Sequence, residues 1–585
     1  MKANKYRTNT CGELTIDDLG KKVVLSGFVN TIRDHGGVMF LDLRDSEGIT
    51  QVVVHDESML EGISKETVIK VTGEVIKRDD ETINPKLPTG EIEIKTEKLE
   101  KLSAKALTTP FEVDNSKDTK EEIRLKYRYL DMRNPKVSKN LKLRSDVLHF
   151  IRNKMYDLDF TEVQTPILTA SSPEGARDFV VPSRNFKGRF YALPQAPQIY
   201  KQLLMVGGIN RYFQVAPCFR DEDARKDRTL EFYQLDFEMS FPEEEDIIEV
   251  GEEIFYDVFT KFSDKEVSPR PFRRLSYKEA MNSYGTDKPD LRNPLIIKDA
   301  SVVLKDTTFN PFKNSIIKVI VVDDIGTKPN SWFNEIVEYA SSIGMPGIGY
   351  ITLMEDGSLK GPIDKFLSEE ERNNLIKEFD MKTNSVMFFI ANKTLKVAQK
   401  FAGQIRDELG RKLELIDSNK LELCIIKDFP MFEYDDKNKK WEFCHNPFSK
   451  PFDEFKDYEN HETGDILAHQ FDFVCNGNEM ASGAIRNTDL ELITKGFVKV
   501  GYPEEVIEKR FNSIFTAFKY GVPPHGGMAP GIDRILMLIL DEPNLREVQA
   551  FPTNATGQDQ MMGSPSILTD DQLEELGIKV IGGEE

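Results

Sequence analysis
An arginine, an aromatic ring and a carboxylate on one polar strand face can hold a phosphate, a flat base and an ammonium side by side. Residues 209–241 have that composition. Arg220 stands where a first strand should end, Glu222 follows, and Arg228 closes a charged stretch that includes Asp221 and precedes Thr229. On the return run, Phe232, Gln234, Asp236, Glu238 and Ser240 share one face, and Tyr233, Leu235, Phe237, Met239 and Phe241 share the other. That is the two-residue period of a strand with an apolar reverse. Arginine can grip phosphate or carboxylate through two parallel N–H bonds, whereas lysine is only a point charge. Phe232 can stack on a base, and Asp236 suits an ammonium. The connecting stretch is longer and more charged than a hairpin needs, as a loop over a ligand would be.

Three further places offer chemistry. Gly531-Ile532-Asp533-Arg534 follows Pro530 at the predicted start of a helix, where free N–H groups and the dipole already favour anions; Arg534 would reinforce a phosphate site. Asp472 and Glu479 flank the turn at Asn476-Gly477, an oxygen pair suited to Mg2+ shared with substrate phosphates. Arg486, after Ala481-Ser482-Gly483, can anchor an anion, and so can His445. Taken singly, each has a plainer reading: a charged surface hairpin, an Asp–Arg pair, structural carboxylates, a structural histidine. Neither G-x-x-x-x-G-K-S/T nor a G-x-G-x-x-G after a strand occurs, so phosphates must be met by arginines and metal.

The elements that must carry these groups can be read from periodicity. Five short alternating runs between Lys22 and Ile94, with glycine-bearing turns, predict a small closed β-barrel of the OB type over 1–105. A polar connector over 106–135 precedes an amphipathic helix in which Leu143, Val147, Ile151 and Met155 recur every four residues. Thr161 to Pro166 reads as a strand with an edge proline. Residues 136–285 then form a first core segment, 286–415 a separate α/β block resembling an insertion, and 416–560 a second core segment. The last of these leads to the buried helix that starts at Gly531, and 561–585 is a C-terminal extension. The fold class is thus multidomain α+β.

Composition sets the bounds. At 585 residues the chain exceeds one hydrophobic core. Its 39% hydrophobic and 30% charged residues are those of an ordinary globular protein. No apolar run of membrane-spanning length and no secretory signal occurs. Five scattered cysteines without a C-x-x-C pair point to buried thiols in a reducing, cytoplasmic setting rather than disulfides or structural zinc. A net charge of −21 argues against indiscriminate nucleic-acid binding, although it allows a local basic groove.

Together these residues resemble the class II aminoacyl-tRNA synthetases, and closely the bacterial-type aspartyl branch, over essentially the whole chain. Phe160 with Pro166 resembles the family's motif 1, whose helix and strand form a dimer interface. Phe219 to Glu222 through Phe232 to Glu238 resembles motif 2, and Gly531 to Arg534 resembles motif 3. The resemblance implies ATP and Mg2+, L-aspartate and tRNA as ligands, a homodimer, an OB-fold anticodon-binding domain and a GAD-like insertion. It assigns Glu174, in Ser172-Pro173-Glu174-Gly175, to a loop over the amino-acid pocket. It also assigns Gln198 and Asp236 to the α-ammonium, Lys201 and Arg486 to the side-chain carboxylate, and His445 to the same pocket. Arg220 would bridge carboxylate and α-phosphate, with Glu222, Asp221, Thr229, Phe232, Gly531, Ile532 and Asp533 about the ATP. Arg534 would meet the γ-phosphate, and Asp472 with Glu479 would hold the metal. Two cations facing a short acidic side chain would reject asparagine, whose amide leaves both charges unpaired.

Two departures stand out. His445-Asn446-Pro447-Phe448 replaces the family's frequent His-His-Pro-Phe, and Ala481-Ser482-Gly483-Ala484 replaces Gly-Gly-Gly-Ser. Neither removes a charge. On the barrel, Arg33, His35, Phe40 and Gln51 are the expected anticodon contacts, Phe40 by stacking and Arg33 and Gln51 as base readers, with a buried Phe40 as the plainer alternative. Arg33-Asp34-His35-Gly36-Gly37 resembles the loop of relaxed members that charge both tRNA-Asp and tRNA-Asn. The Lys201/Arg486 pair and the insertion disfavour the asparaginyl and lysyl branches. An inactive RNA-binding paralogue would be expected to have lost some of the charges listed above.

Overall fold
The computed structural model describes residues 3–171 and 176–582. They divide into two compact units, one of 1–142 with 549–554 and 558–566, the other comprising the rest.

In the first unit, β1 (Lys22–His35), β2 (Val38–Arg44), β3 (Ile49–Val54), β4 (Val68–Lys77) and β5 (Ile92–Lys101) close into a barrel of order β1-β2-β3-β5-β4. Closure follows from the alternation: Val23, Leu25 and Val29 of β1 pack inward on Leu41, Leu43, Val52, Ile69, Val71 and Ile94, and no edge is left unpaired. Arg33-Asp34-His35, expected in a loop, instead extends β1, and Gly36 and Gly37 alone make the turn. Both glycines have positive φ (67° and 95°), which a two-residue hairpin turn demands.

The second unit is organised by one mainly antiparallel sheet. The helix α1 (Pro135–Asp157) contributes Val147, Ile151 and Met155 to its core. The sheet's strands are β6 (Thr161–Glu162), β7 (Arg211–Phe219), β8 (Glu231–Ser240), β9 (Arg273–Ser276), and, after the inserted block, four more. That block has its own antiparallel sheet of β10 (Ile297–Asp299), β11 (Ile316–Val322), β12 (Gly349–Leu353), β13 (Leu359–Lys360) and β14 (Val386–Asn392), in the order β10-β11-β14-β12-β13. The main sheet then gains β15 (Leu423–Pro430), β16 (Leu467–Cys475), β17 (Asn478–Ile485) and β18 (His525–Pro530), giving β9-β15-β16-β17-β18-β8-β7-β6. Four helices besides α1 matter below: α2 (Gln198–Val206), α3 (Tyr277–Tyr284), α4 (Leu395–Lys412) of the inserted block, and α5 (Ile532–Leu540).

Two expectations are corrected. The strand over Thr161 to Pro166 is only Thr161–Glu162, paired in parallel with β7; prolines supply no ladder donor. Phe241 does not continue the apolar face of β8. The ladder ends at Ser240, and Phe241 turns out at φ 61° and 71% exposure. Leu235, Phe237 and Met239 do face the core. Four cysteines are buried and Cys444 half-buried, all as free thiols. Among the described residues no helix is long and apolar enough to cross a membrane.

Candidate active site
The polar faces of β8, β16 and β17, the start of α2 and the start of α5 enclose a cavity of about 500 Å3. Around it stand Gln198, Lys201, Arg220, Glu222, Thr229, Phe232, Asp236, His445, Asp472, Glu479, Arg486, Gly531, Asp533 and Arg534. Residues up to 336 positions apart in the chain thus meet because the central strands turn their polar face to one side and the core to the other.

The floor is a buried charge network. Lys201 Nζ lies 2.7 Å from Asp236 Oδ1 and 3.3 Å from Glu238 Oε2. Arg486 donates twice to Glu238, at 2.7 and 3.0 Å. Burial would raise Glu238, but Arg486 and Lys201 outweigh it and hold its carboxyl at about 2. Asp236, equally buried, is pushed up by burial despite the opposing Lys201 ammonium. Neither Asp236 Oδ2 nor the neighbouring Tyr212 hydroxyl completes a hydrogen bond. Glu238 is the residue that sequence reasoning missed: its place on the polar face of β8 was legible, its role as shared partner of both cations was not.

Gln198 carries a correction. Asn446 Oδ1 accepts from the Phe448 N–H (2.8 Å), so its amide nitrogen must be the donor to Gln198 Oε1 (2.9 Å). Gln198 is thereby committed to presenting Nε2, a buried donor without a partner. Gln198 thus offers a donor where the sequence reading expected an acceptor, and Asp236 Oδ2 is the unpaired acceptor close by. The Asn446 departure therefore sets the orientation of the amide beside it.

At the other end, the Arg220 guanidinium lies 5.0 Å over the Phe232 ring. Glu222 pairs with Arg228 at 2.6 Å. Arg534 donates to the Glu479 carbonyl (2.6 Å), with the Glu479 carboxylate 3.8 Å away. Of three further residues expected about the ATP, Asp533 lines the cavity, whereas Ile532 and Asp221 do not. Ile532 is fully buried in the core, so only its backbone can serve. Asp221 does not line the cavity and sits 3.7 Å from Arg177. The Asp533 carboxylate is taken by Arg144 of α1. Position one on a helix N-terminus leaves side chains pointing in several directions, and spacing alone cannot say which reach the cavity. Glu174 lies outside the described residues.

The carboxylate pair is placed by β16 and β17, where Asp472 faces Ser482 and Val474 faces Glu479. Ser482 donates to Asp472 Oδ1 at 2.6 Å, whereas Oδ2 is buried without a hydrogen bond. Asp287, His445 and Asp472 bring ligand atoms within 4.8 Å of one another, so Asp287 joins the candidates. An orphaned anionic oxygen among such donors fits a hard divalent cation. Burial pushes Asp472 up to about 6, with Glu479 adding and His445 and Lys288 opposing. For Glu479, burial is outweighed by Lys288 and Arg534, and its pKa is lowered. The sign follows. As pH falls through about 6, Asp472 takes up a proton and loses its charge as a ligand. Mg2+ titrations about one unit either side of 6 should give weaker apparent Mg2+ affinity on the acid side; equal affinity on both sides would refute the assignment.

On the barrel, Arg33 forks onto Asp42 at 2.6 and 2.8 Å and reaches Gln51 at 3.1 Å. Gln51 donates in turn to Glu93 at 2.7 Å. Phe40, opposite Arg33 in the β1–β2 register, is half-buried, with the His35 ring edge-on at 5.5 Å. The four expected contacts therefore form one patch, joined by the unanticipated Asp42 and Glu93.

Comparison with known proteins agrees with this layout. Residues 120–555 match the family described as tRNA synthetases class II (D, K and N), and 23–102 match the OB-fold nucleic acid binding domain. The chain is 48% identical over 600 residues to an aspartate–tRNA(Asp/Asn) ligase of Wolbachia sp. subsp. Drosophila simulans, covering 99% of this chain and 100% of the relative. It is 49% identical over 585 residues to an enzyme of the same name from Phenylobacterium zucineum, covering 98% of each. A solved asparaginyl-tRNA synthetase from Pyrococcus horikoshii, complexed with asparaginyl-adenylate, shares the fold at a TM-score of 0.57 and 20% identity, over 93% of this chain and 97% of that one.

Proposed function
The chain belongs to the class II tRNA synthetases, and on that premise we propose that it activates L-aspartate with ATP and transfers it to tRNA-Asp and tRNA-Asn. The observation that carries the amino acid is the pair Lys201 and Arg486, buried together on Glu238 at the cavity floor. An aspartate side chain brings the one anion this pair can accept. Asparagine brings a neutral amide whose NH2 group would face two cations, neither of which can accept a hydrogen bond.

In this reading Asp236 accepts the α-ammonium and Gln198 Nε2 donates to a substrate carboxylate oxygen. Arg220 holds the α-carboxylate against the α-phosphate while Phe232 stacks on the adenine. Glu222 and Thr229 border the nucleotide, and Arg534, at the start of α5, meets the γ-phosphate. The α-carboxylate oxygen attacks the α-phosphorus in line, the bond to the β-phosphate oxygen breaks, and pyrophosphate leaves. Positioning and charge neutralisation carry the rate. Mg2+ held by Asp472 and Glu479, with Asp287 and His445 beside them, would neutralise phosphate charge. The 3′-hydroxyl of the tRNA's terminal adenosine then attacks the adenylate carbonyl, releasing AMP.

The barrel reads the anticodon, with Phe40 as the stacking ring and Arg33 as base reader. Both ends of the Gln51 amide are engaged, so it steadies Arg33 rather than reading a base itself. Residues 286–415 are an inserted block between the halves of the core, and the protein works as a cytoplasmic homodimer. The inactive-paralogue reading finds no support, because Arg220, Glu222, Asp472, Glu479 and Arg534 all surround one cavity.

His35, at the end of β1, and the two relatives named for tRNA(Asp/Asn) support the relaxed choice of tRNA. Purified tRNA-Asp and tRNA-Asn, each offered labelled aspartate, should both be charged, with kcat/KM values within about tenfold of each other. Charging of tRNA-Asp alone at equal enzyme concentration would sink the relaxed reading while leaving aspartate activation standing.

A further inference from the structure
One cation at the carboxylate pair has no part in the scheme above. Lys288 Nζ lies 3.3 Å from Glu479 Oε2 and 2.6 Å from Asp287 Oδ2, and it does not line the cavity. It lies on the segment between α3 and β10.

α3 and the segment that follows it are gripped by α4 of the inserted block through a single stripe of the helix. Gln399 donates to Asn282 at 2.9 Å. Four residues on, Gly403 lets the helix meet the chain at Gly285, and a Cβ there would sit 2.9 Å from the Gly285 carbonyl oxygen. Three further, the fully buried Arg406 donates to the carbonyls of Leu295 (2.6 Å), Asn293 (2.7 Å) and Asp290 (2.9 Å) and lies over the Tyr284 ring. Four further again, Gly410 makes room for the Asn293 side chain, whose amide returns a bond to the Arg406 carbonyl at 2.9 Å. Spacings of four, three and four keep all four residues on one helix face. A buried arginine that gives bonds to three backbone carbonyls, besides one at 3.2 Å to the adjacent Asp407, holds a loop in one conformation.

We propose that Lys288 is a built-in counter-ion for the Asp472/Glu479 pair, held in place by α4, which makes the site take its divalent cation together with ATP rather than alone. The proposal rests on the reading of those carboxylates as metal ligands. A fixed ammonium beside Glu479 opposes a second cation by direct repulsion; the phosphates of bound ATP supply the added negative charge that overcomes it. Lys288 acts through Glu479 and is a positioning residue.

The sign distinguishes this from simple structural damage. Free Mn2+, followed by its paramagnetic resonance signal, is titrated into the full-length protein with and without ATP. Without nucleotide, Lys288→Met should bind Mn2+ at least about tenfold more tightly than the parent, because the repulsion is removed. Lys288→Arg, which keeps the charge, should stay near the parent value. Arg406→Met should shift in the same direction by about threefold as the segment loosens. If thermal melting shows that this variant is unfolded, Gly403→Ala strains the same contact and replaces it. With saturating ATP the gap between Lys288→Met and parent should narrow. Unchanged or weaker nucleotide-free Mn2+ binding in Lys288→Met would overturn the counter-ion role. A parent protein that takes up no Mn2+ even with ATP would overturn the metal reading as well. Absence of aspartate-dependent ATP–pyrophosphate exchange in the parent would instead refute the proposed reaction while leaving the Mn2+ comparison intact.

Discussion
Arg486→Leu is expected to abolish aspartate-dependent ATP–pyrophosphate exchange while ATP still binds with an affinity within about threefold of the parent. Arg486 and Lys201 share Glu238 at the bottom of the cavity, and all three side chains are essentially excluded from solvent. Removing one partner of a buried, hydrogen-bonded charge pair costs about 3–5 kcal/mol. Spent on the transition state for aspartate, that is about two to four decades in kcat/KM. The variant also leaves Glu238 with Lys201 alone, so the floor becomes more negative and repels the incoming carboxylate. Both effects act on aspartate in the proposed scheme, because Arg486 is held on Glu238 whereas Arg534, bonded to the Glu479 carbonyl, serves the nucleotide. Exchange at the parent rate would remove Arg486 from the amino-acid site. Equal loss of ATP binding and exchange would show that the substitution damages the fold instead, which a thermal melt would register independently.

The second large effect is at Arg220. Arg220→Ala should lower kcat for exchange by about 10^3, since the guanidinium would sit where carboxylate and α-phosphate charge must be neutralised together. The guanidinium lies 5.0 Å over the Phe232 ring, beside the ring proposed to stack on the adenine, and can give two parallel N–H bonds from one plane. Arg220→Lys should therefore recover less than about tenfold of the loss, because an ammonium restores charge without the fork. Full recovery with lysine would mean that charge alone matters and would refute the bridging geometry.

How far the site was legible depends on the range over which each feature is set. The alternation along β8 told Phe232, Gln234, Asp236 and Glu238 from Leu235, Phe237 and Met239, because the period of two is a property of the extended chain. It failed at Phe241, where the ladder ends. The barrel was likewise readable from alternating runs, yet Arg33 to His35 went to β1 because cross-strand pairing with Phe40 and Val38 outweighed the turn-like composition. How the Ile532 and Asp533 side chains are used was not legible, for the opposite reason. Their spacing to Arg534 is local, but which side chain turns to the core or to Arg144 depends on what α5 packs against.

The sequence by itself determined the chemistry on offer: which charges exist, on which strand faces they stand, and through family resemblance that they serve adenylation of an acidic amino acid. Only the tertiary structure decided how those charges are shared. Glu238 became the common partner of Lys201 and Arg486, Asn446 turned the Gln198 amide into a donor, and α4 of the inserted block carried Lys288 to Glu479 across nearly two hundred residues. Strand faces and helix starts follow from backbone periodicity and can be read along the chain. Pairings inside a desolvated cavity follow from which groups must neutralise one another once water is excluded, and that is set only when distant segments meet.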